Sequence, residues 1–281
     1  MSGTLFVVAT PIGNLEDITF RALRVLREAD LIAAEDTRRT ARLLKHYGIS
    51  TSTLSFHQHN TRSRLPQLIR RLEAGARIAI VTDAGTPGIS DPGIDLVAAC
   101  LRKGIAVDPI PGPSAPLVAA VASGFPLDPL TVFGFVPARS KDREAWMQSA
   151  KSIRHTFIFF EAPHRIRRTL SELSQLLGER QIVVCRELTK LHQQFLRGDA
   201  ATIVGQLTDS RGEFSVVVGP AVQAEPGHDR SNDQVIADEF WRSTHNMEGG
   251  RRRAVVDLAK KYGRSPREVY AIIERLKSSG V

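Results

Sequence analysis

The most distinctive chemical pattern in the chain is an apolar strand that runs into a loop rich in glycine, proline and aspartate. The run Ile78–Val81 leads to Asp83, and the loop continues through Gly-Thr-Pro-Gly-Ile-Ser-Asp-Pro to Gly93. In open α/β sheets, ligands lie beyond the carboxyl ends of strands, where glycines let them approach backbone N–H groups. No Gly-Lys-Ser/Thr follows, and Asp83 and Asp91 would repel a polyphosphate. The loop suits a ligand with a cationic and an anionic end, such as S-adenosylmethionine; a turn-rich loop without a ligand is the alternative.

A second charged loop follows the short apolar run Leu31–Ala34. Glu35 and Asp36 are adjacent carboxylates, and Arg38 and Arg39 come directly after them. A carboxylate there could position or deprotonate a hydroxyl group, and arginine forks suit phosphate. A capped helix start with local ion pairs explains the same spacing equally well.

Two proline-containing loops offer further contacts at strand ends. The loop Pro11–Asp17 has one glycine, so it lacks the dinucleotide fingerprint and forms either a cleft wall or a helix-entry turn. The loop Pro109–Pro116 leads into a helix at about Ser114. Backbone N–H groups at that helix start could bind a carboxylate or an adenine edge, although Ser114 could equally be only an N-cap.

Charged and imidazole groups also follow two apolar strands in the second half of the chain. The segments Phe159–Arg165 and Arg186–His192 carry His164 and His192, which are candidate proton acceptors or RNA contacts if they are not structural. The chain has no zinc-finger spacing, no His-Glu-x-x-His and no Gly-x-Ser-x-Gly. We therefore expect no bound metal and no hydrolase nucleophile.

The elements that must position these loops alternate between strand and helix patterns. Residues 1–123 predict an α/β domain with a mostly parallel sheet, and residues 124–222 predict a second α/β domain. Polar and turn-forming residues at 223–234 predict a linker. In the tail, residues 235–281, two predicted helices join at a tight turn, and Ser265-Pro-Arg-Glu268 has the pattern of a helix start. This arrangement suggests a helix-turn-helix-like module.

Composition limits the classes of protein that the chain can represent. Its 281 residues carry a formal charge of +8, which favours a polyanionic partner but does not require one. No apolar run approaches the roughly 18–20 residues of a membrane span, and the first ten residues predict no signal peptide. Cys100 and Cys185 lie in apolar segments, which suggests core positions in a reducing compartment.

Six strings occur together in order: Thr10-Pro-Ile-Gly-Asn-Leu-Glu-Asp, Ala34-Glu-Asp-Thr-Arg, Thr82-Asp-Ala-Gly-Thr-Pro-Gly-Ile-Ser-Asp-Pro-Gly, Pro111-Gly-Pro-Ser-Ala, Phe160-Glu-Ala-Pro-His-Arg and Arg186-Glu-Leu-Thr-Lys. Together they resemble the ribosomal RNA small-subunit 2′-O-methyltransferases of the tetrapyrrole methylase superfamily. The resemblance implies the two-domain class III methyltransferase fold with S-adenosylmethionine in the cleft between the domains, and a small helical C-terminal extension. It also implies a cytoplasmic homodimer that methylates a cytidine ribose in the decoding region of small-subunit (16S) ribosomal RNA, within the assembled 30S subunit.

The resemblance also assigns the cofactor contacts by position. They are Pro11, Asp83, Ala84, Gly85, Thr86, Pro87, Ile89, Ser114, Ala115 and Leu188. One departure is visible, because the pattern has a glutamate after Thr189-Lys-Leu-His192 and this chain has Gln193. That difference argues against an essential carboxylate at this position.

Transfer of a methyl group to a ribose hydroxyl needs alignment of the reactants and removal of a proton. The catalytic candidates are Glu35, Asp36, Glu161 and Lys190. The candidate RNA contacts are Arg38, Arg39, Arg165, Arg251, Arg252 and Arg253, although the last three could form only a solvated helix face. Methylation of a tetrapyrrole precursor, or RNA binding without catalysis, are the alternative functions.

Overall fold

Two five-stranded sheets and a separate helical unit make up the part of the chain that the structure, a computed structural model, describes. That part comprises residues 3–88, 93–221, 230–244 and 250–277. Both sheets belong to one compact unit, residues 1–221, and the remaining helices belong to a second unit, residues 222–281. No helix of the described ranges is both long and apolar enough to cross a membrane.

The first sheet is parallel throughout, in the order β3-β2-β4-β1-β5. Its strands are β1 (Thr4–Val8), β2 (Leu31–Ala34), β3 (Thr53–Ser55), β4 (Arg77–Val81) and β5 (Ala106–Ile110). The helices that follow them are α1 (Phe20–Glu28), α2 (Thr37–His46), α3 (Thr61–Glu73), α4 (Gly93–Arg102) and α5 (Ala115–Ser123).

Apolar side chains cover both faces of this sheet, as expected for parallel strands that helices enclose. On β1 and β4, Leu5 and Ile78 belong to one apolar cluster, whereas Phe6 and Ala79 belong to the cluster on the opposite face. This alternation explains why the strands appear in the sequence as continuous apolar runs. Cys100 is buried in the first of these clusters, and burial raises the pKa of its thiol to about 11.

The second sheet is mixed, in the order β6-β7-β10-β8-β9. Its strands are β6 (Leu130–Phe135), β7 (Thr156–Glu161), β8 (Gln181–Arg186), β9 (Gln194–Asp199) and β10 (Phe214–Val218). Only β6 and β7 pair in parallel, and the pairs β7–β10, β10–β8 and β8–β9 are antiparallel. Consequently, β10 starts at the edge where β7 ends.

The two faces of the second sheet pack against different partners. One face packs on α6 (Ser140–Ser152), α7 (Ile166–Leu177) and α8 (Ala200–Gln206). On the other face, Ile158, Val217 and the buried Cys185 form a cluster with Ile12 and Ala119. Ile12 follows β1 and Ala119 lies on α5, so this face joins the second sheet to the first domain.

The second unit contains the helices α9 (Arg230–Thr244), α10 (Arg251–Tyr262) and α11 (Pro266–Lys277), which share an apolar cluster. Helix α10 ends at Gly263, and the predicted α11 start has reciprocal bonds between Ser265 and Glu268. The sequence predicted two helices here and missed α9. This helix begins inside the predicted linker, where the polar composition of 223–234 gives no helical signal. Ile236 and Phe240, just beyond that segment, are buried in the apolar cluster of the second unit. Residues 223–229 lie outside the described ranges.

Candidate functional site

The loop after β1 and the glycine-rich loop after β4 are fastened together at the carboxyl edge of the first sheet. The Thr10 and Gly85 backbones exchange two hydrogen bonds, with N···O distances of 2.9 and 3.0 Å. The Thr10 hydroxyl also donates to the Thr82 carbonyl at 3.1 Å. Gly85 has a φ of 84°, a conformation that glycine adopts without strain. The glycine at this position therefore permits the turn that brings the two loops together.

Glu35 and Asp83 form a carboxylate pair at this edge, because β2 and β4 are neighbours in the sheet. Glu35 Oε2 accepts hydrogen bonds from the Thr82 hydroxyl at 2.6 Å and from the Asp83 N–H at 3.2 Å. Asp83 Oδ1 accepts from the Asp36 N–H at 3.0 Å, and Arg39 lies 3.4 Å from Oδ2. Burial, together with the nearby charge of Glu35, raises the pKa of Asp83. Such a pair can hold a cation or accept a proton.

Asp36 is adjacent in sequence but has a different environment. It caps α2 through the Arg38 N–H at 2.8 Å and pairs with the Arg38 guanidinium at 3.0 Å. The hydrogen bond from the Arg38 side chain lowers the pKa of Asp36 to about 2. A carboxylate held in this way is a weak base. The geometry therefore favours the local ion-pair interpretation for Asp36 and Arg38.

A cavity of about 380 Å3 lies between this edge and the second sheet. Ten of the predicted site residues line it: Glu35, Arg39, Asp83, Ala84, Gly85, Thr86, Ser114, Ala115, Glu161 and Leu188. A smaller adjoining cavity of about 170 Å3 is lined by Pro11 and shares Arg39, Thr82 and Asp83 with the larger one. Asp36, Arg38, Pro87, Arg165 and Lys190 line neither cavity. Ile89 lies outside the described residues.

The second sheet supplies lining residues that the sequence did not indicate. Phe135 is the last residue of β6 and Phe160 the last but one of β7, and their ring centroids are 5.3 Å apart. Glu213 precedes β10, and Phe214 and Ser215 are its first two residues. The aromatic residues could have been found, because they lie at the ends of strand-like runs. The β10 residues could not, because nothing in the sequence indicates that β10 is antiparallel.

The start of α5 closes another side of the larger cavity. Ser114 occupies the N-cap position but makes no side-chain capping bond, and it is buried. The preceding loop is tied to the glycine-rich loop by a 3.1 Å hydrogen bond from the Thr86 hydroxyl to the Pro113 carbonyl. The simple N-cap interpretation of Ser114 therefore lacks its hydrogen bond, and the residue lines the cavity instead.

Glu161 lies in the cavity wall, but its carboxylate points into a buried network. Oε1 accepts from the Ala162 N–H at 2.7 Å and pairs with Arg165 at 2.7 Å. Oε2 accepts from the Thr169 hydroxyl at 2.5 Å, and Arg143 lies 3.6 Å away. Both oxygens are engaged and the side chain is fully buried. This arrangement suits anchoring of the wall better than proton transfer to a ligand.

The loop after β8 carries Lys190 against the loop after β1. Lys190 Nζ pairs with Glu187 at 2.8 Å and with Glu213 at 3.0 Å. Partial burial opposes protonation, but the hydrogen bonds to these carboxylates outweigh it and raise the pKa of Lys190. A Cβ on Gly13 would lie 2.5 Å from Lys190 Cγ and 2.8 Å from the Leu188 carbonyl oxygen. Only glycine allows this approach of the two loops.

Gln193 has a defined place in the same loop. Its Oε1 accepts a 2.7 Å hydrogen bond from the Thr189 N–H, and Thr189 has a φ of 66°. The Thr189 hydroxyl in turn accepts from the Asn14 N–H at 3.0 Å. Because this arrangement needs an oxygen acceptor and no charge, the amide of Gln193 meets the requirement.

The remaining candidates are not among the residues that line the two cavities. His164 and His192 are exposed. In the second unit, Arg251, Arg252 and Arg253 are exposed in the first turn of α10, with Arg251 6.0 Å from the Trp241 ring centroid. The N-terminal end of a helix carries a partial positive charge, so the interaction of these three arginines with the helix dipole is unfavourable and does not stabilise α10. Within the described ranges, no group of three or more His, Cys, Asp or Glu residues is arranged to hold a metal ion.

Solved structures share this two-sheet α/β fold. It superposes on a uroporphyrin-III-C-methyltransferase from Thermus thermophilus with a TM-score of 0.56 and 17% identity, covering 80% of this chain and 97% of that one. A diphthine synthase gives a TM-score of 0.61 at 15% identity, covering 77% and 90% of the two chains. At these identities the likeness concerns the fold alone.

The sequence comparisons identify the family. The model of the tetrapyrrole (corrin/porphyrin) methylases matches residues 4–204, and the chain belongs to this family. It is 43% identical over 282 aligned positions to a Synechocystis protein named ribosomal RNA small subunit methyltransferase I, covering 99% of this chain and 100% of that protein. A Halalkalibacterium halodurans protein of the same name is 47% identical over 227 positions, covering 80% and 78% of the two chains.

The Glu161 network generates a prediction that separates anchoring from catalysis. Glu161→Gln leaves Arg143 and Arg165 without their shared buried charge, so we expect the free energy of unfolding to fall by about 3 kcal/mol. Urea denaturation measures this loss, with the exposed Glu179→Gln as the matched control. A variant of wild-type stability that has lost turnover would contradict the anchoring role.

Proposed function

We propose that this protein is an S-adenosylmethionine-dependent methyltransferase that modifies small-subunit ribosomal RNA. The observation that carries the proposal is the 43% identity to a relative of that name along 99% of this chain. The aligned region includes the helical unit that lies beyond the match to the family model. The proposal therefore concerns the whole chain and not only the methylase fold.

The larger cavity has the size and chemistry that the cofactor requires. Its volume of about 380 Å3 falls within the range of roughly 300–1,000 Å3 that is usual for small-molecule sites. Glu35 and Asp83 supply negative charge that suits a sulfonium cation, and Phe135 and Phe160 supply apolar surface. The start of α5, at Ser114 and Ala115, offers a site for an anionic group. Bound S-adenosylmethionine supplies an electrophilic methyl group.

The Glu35–Asp83 pair is the best-placed proton acceptor. Methylation of a ribose hydroxyl at this site would release the hydroxyl proton, and the methyl donor would be converted to a neutral thioether. Oε1 of Glu35 makes no hydrogen bond with a described residue, so it remains available to accept that proton. Asp83 lies beside Glu35, and burial together with that neighbouring charge raises the pKa of Asp83, so it too can take up a proton at this wall. Lys190 and Glu161 hold the surrounding walls in this scheme.

The relatives' names give small-subunit ribosomal RNA as the substrate, and the finer specificity that we propose rests on the sequence resemblance. The product is a 2′-O-methylated cytidine of the decoding region, formed on the assembled 30S subunit in the cytoplasm. A ribose hydroxyl is a weak acid, which accounts for a base at the edge of the cavity. Arg39, which lies in the first turn of α2 and lines both cavities, supports a polyanionic substrate.

Methyl transfer to three substrates in parallel tests this function. Labelled S-adenosylmethionine is incubated with purified 30S subunits, naked 16S ribosomal RNA and a tetrapyrrole precursor, and mass spectrometry locates the methyl group. We expect label on a cytidine ribose of the 30S subunit. Label on the tetrapyrrole alone would overturn the RNA assignment, and RNA binding without cofactor binding would overturn the enzymatic one.

The carboxylate pair predicts a shift in pH dependence. Glu35→Gln removes the negative charge that helps to raise the pKa of Asp83, so that pKa should fall. We expect kcat to drop about 100-fold or more, and the acid limb of the kcat/KM profile to move to lower pH. The pH profile of methyl transfer measures both effects. If the limb stays in place while the rate falls, Asp83 is not the partner of Glu35 in this titration.

Helix α5 supports the further proposal that the protein is a homodimer. It has no charged residue, and a helix that is apolar all round is normally covered. Its inner side packs on the second sheet, but Leu117, Val118 and Val121 remain exposed, with Val121 at 73%. A second copy of the chain is the occupant that the family resemblance implies.

A charge on α5 should dissociate the dimer. We expect wild-type protein to sediment at twice the mass of the chain, and Val121→Glu to sediment at the mass of one chain. The matched control is Val256→Glu, which places the same charge at an exposed position of α10. A monomeric wild type, or a dimer that tolerates Val121→Glu, would contradict this interface.

A further inference from the structure

The smaller cavity has a cationic wall, and the proposed function leaves one of its arginines, Arg42, without a role. It is lined by Arg39 and Arg42 of α2, by Pro11 and Leu15 of the loop after β1, and by Thr82 and Asp83 at the end of β4. Arg39 and Arg42 are three residues apart, so they lie on one face of the helix. Helix α2 carries no acidic residue. The cavity therefore collects positive charge beside the cofactor site.

Arg42 differs from its neighbours in having no internal partner. Arg38 pairs with Asp36, and Arg39 lies 3.4 Å from Asp83. Arg42 makes no hydrogen bond or ion pair with any residue in the described part of the chain, and it is exposed. Since Asp83 is already held by the Asp36 N–H and by Arg39, its charge is partly compensated. An anion can approach the Arg42 side of the cavity.

We infer that this cavity binds a backbone phosphate of the RNA, with Arg42 as a contact that positions the substrate. The inference rests on the proposed function and adds a residue to it. The volume of about 170 Å3 is several times the roughly 30 Å3 that a water molecule occupies. Arginine is the side chain whose planar fork best matches phosphate oxygens.

The position of the cavity explains how a phosphate would align the reacting group. In RNA, the 2′-hydroxyl is on the carbon next to the one whose oxygen carries the 3′-phosphate. Arg39, Thr82 and Asp83 line both cavities. A phosphate in the smaller cavity therefore holds the neighbouring 2′-hydroxyl at this shared wall, within reach of the Glu35–Asp83 pair. Arg42 binds the substrate and takes no part in the proton transfer.

The test compares Arg42→Ala, Arg42→Lys and Arg102→Ala with wild-type protein. Arg102→Ala is the matched control, because it also removes one arginine charge. Arg102 is the last residue of α4 and precedes β5, so it lies at the amino edge of the parallel sheet, opposite the edge that carries the site. RNA binding is measured with 30S subunits at several salt concentrations. Methyl transfer is measured under steady-state conditions, and S-adenosylmethionine binding is measured by calorimetry.

We expect Arg42→Ala to raise the KM for 30S subunits about tenfold and to reduce the slope of log affinity against log salt by about one. Arg42→Lys should restore the slope but only part of the KM, because lysine keeps the charge and loses the fork. Cofactor affinity should stay unchanged in all variants, which also verifies folding. The inference would be overturned if Arg42→Ala and Arg102→Ala had the same RNA affinity and the same salt slope. The proposed function would still stand in that case, provided that wild-type protein transfers the methyl group. No transfer by wild-type protein to 30S subunits or ribosomal RNA would overturn both.

Discussion

The parallel register of the first sheet is the constraint on which the candidate site depends. Ala34 of β2 is paired with Val81 of β4, and Val7 of β1 is paired with Ile80. Parallel strands end at a common edge, so Glu35, Thr82 and Thr10 follow their strands into the same small volume. The hydrogen bonds among them link three loops that are far apart in the sequence. A register shift by one residue would turn these side chains to the opposite face.

The first half of the site could be predicted from the sequence because its strands are buried on both faces and appear as apolar runs. Each run is followed by its functional residues, as Asp83 follows Ile78–Val81. The second half could not be predicted to the same extent. Glu213 and Ser215 reach the cavity from the beginning of β10, and they do so because this strand runs antiparallel to β7. Strand direction is set by pairing between distant segments, which local patterns do not record.

Residue type alone also could not assign the roles of the carboxylates, because their environments decide what each one can do. Asp36 is held by Arg38, which keeps its pKa low, whereas burial beside Glu35 raises the pKa of Asp83. Glu161 is fully enclosed by hydrogen-bond donors. A buried carboxylate whose two oxygens are both hydrogen-bonded is held in one position, which suits it to hold a wall. The carboxylates with a raised pKa or a free oxygen at a cavity are the ones suited to chemistry.

The contact between the loops after β1 and β8 shows how a sequence departure can leave a site intact. Thr189 has a left-handed backbone conformation that costs free energy for a residue with a branched side chain. The hydrogen bond from its N–H to Gln193, and the bond that its hydroxyl accepts from Asn14, offset that cost. Both bonds are neutral, so glutamine serves here as well as glutamate. The sequence position is therefore constrained by the need for an acceptor oxygen at the right length, and Gly13 is constrained by the close approach that the same contact requires.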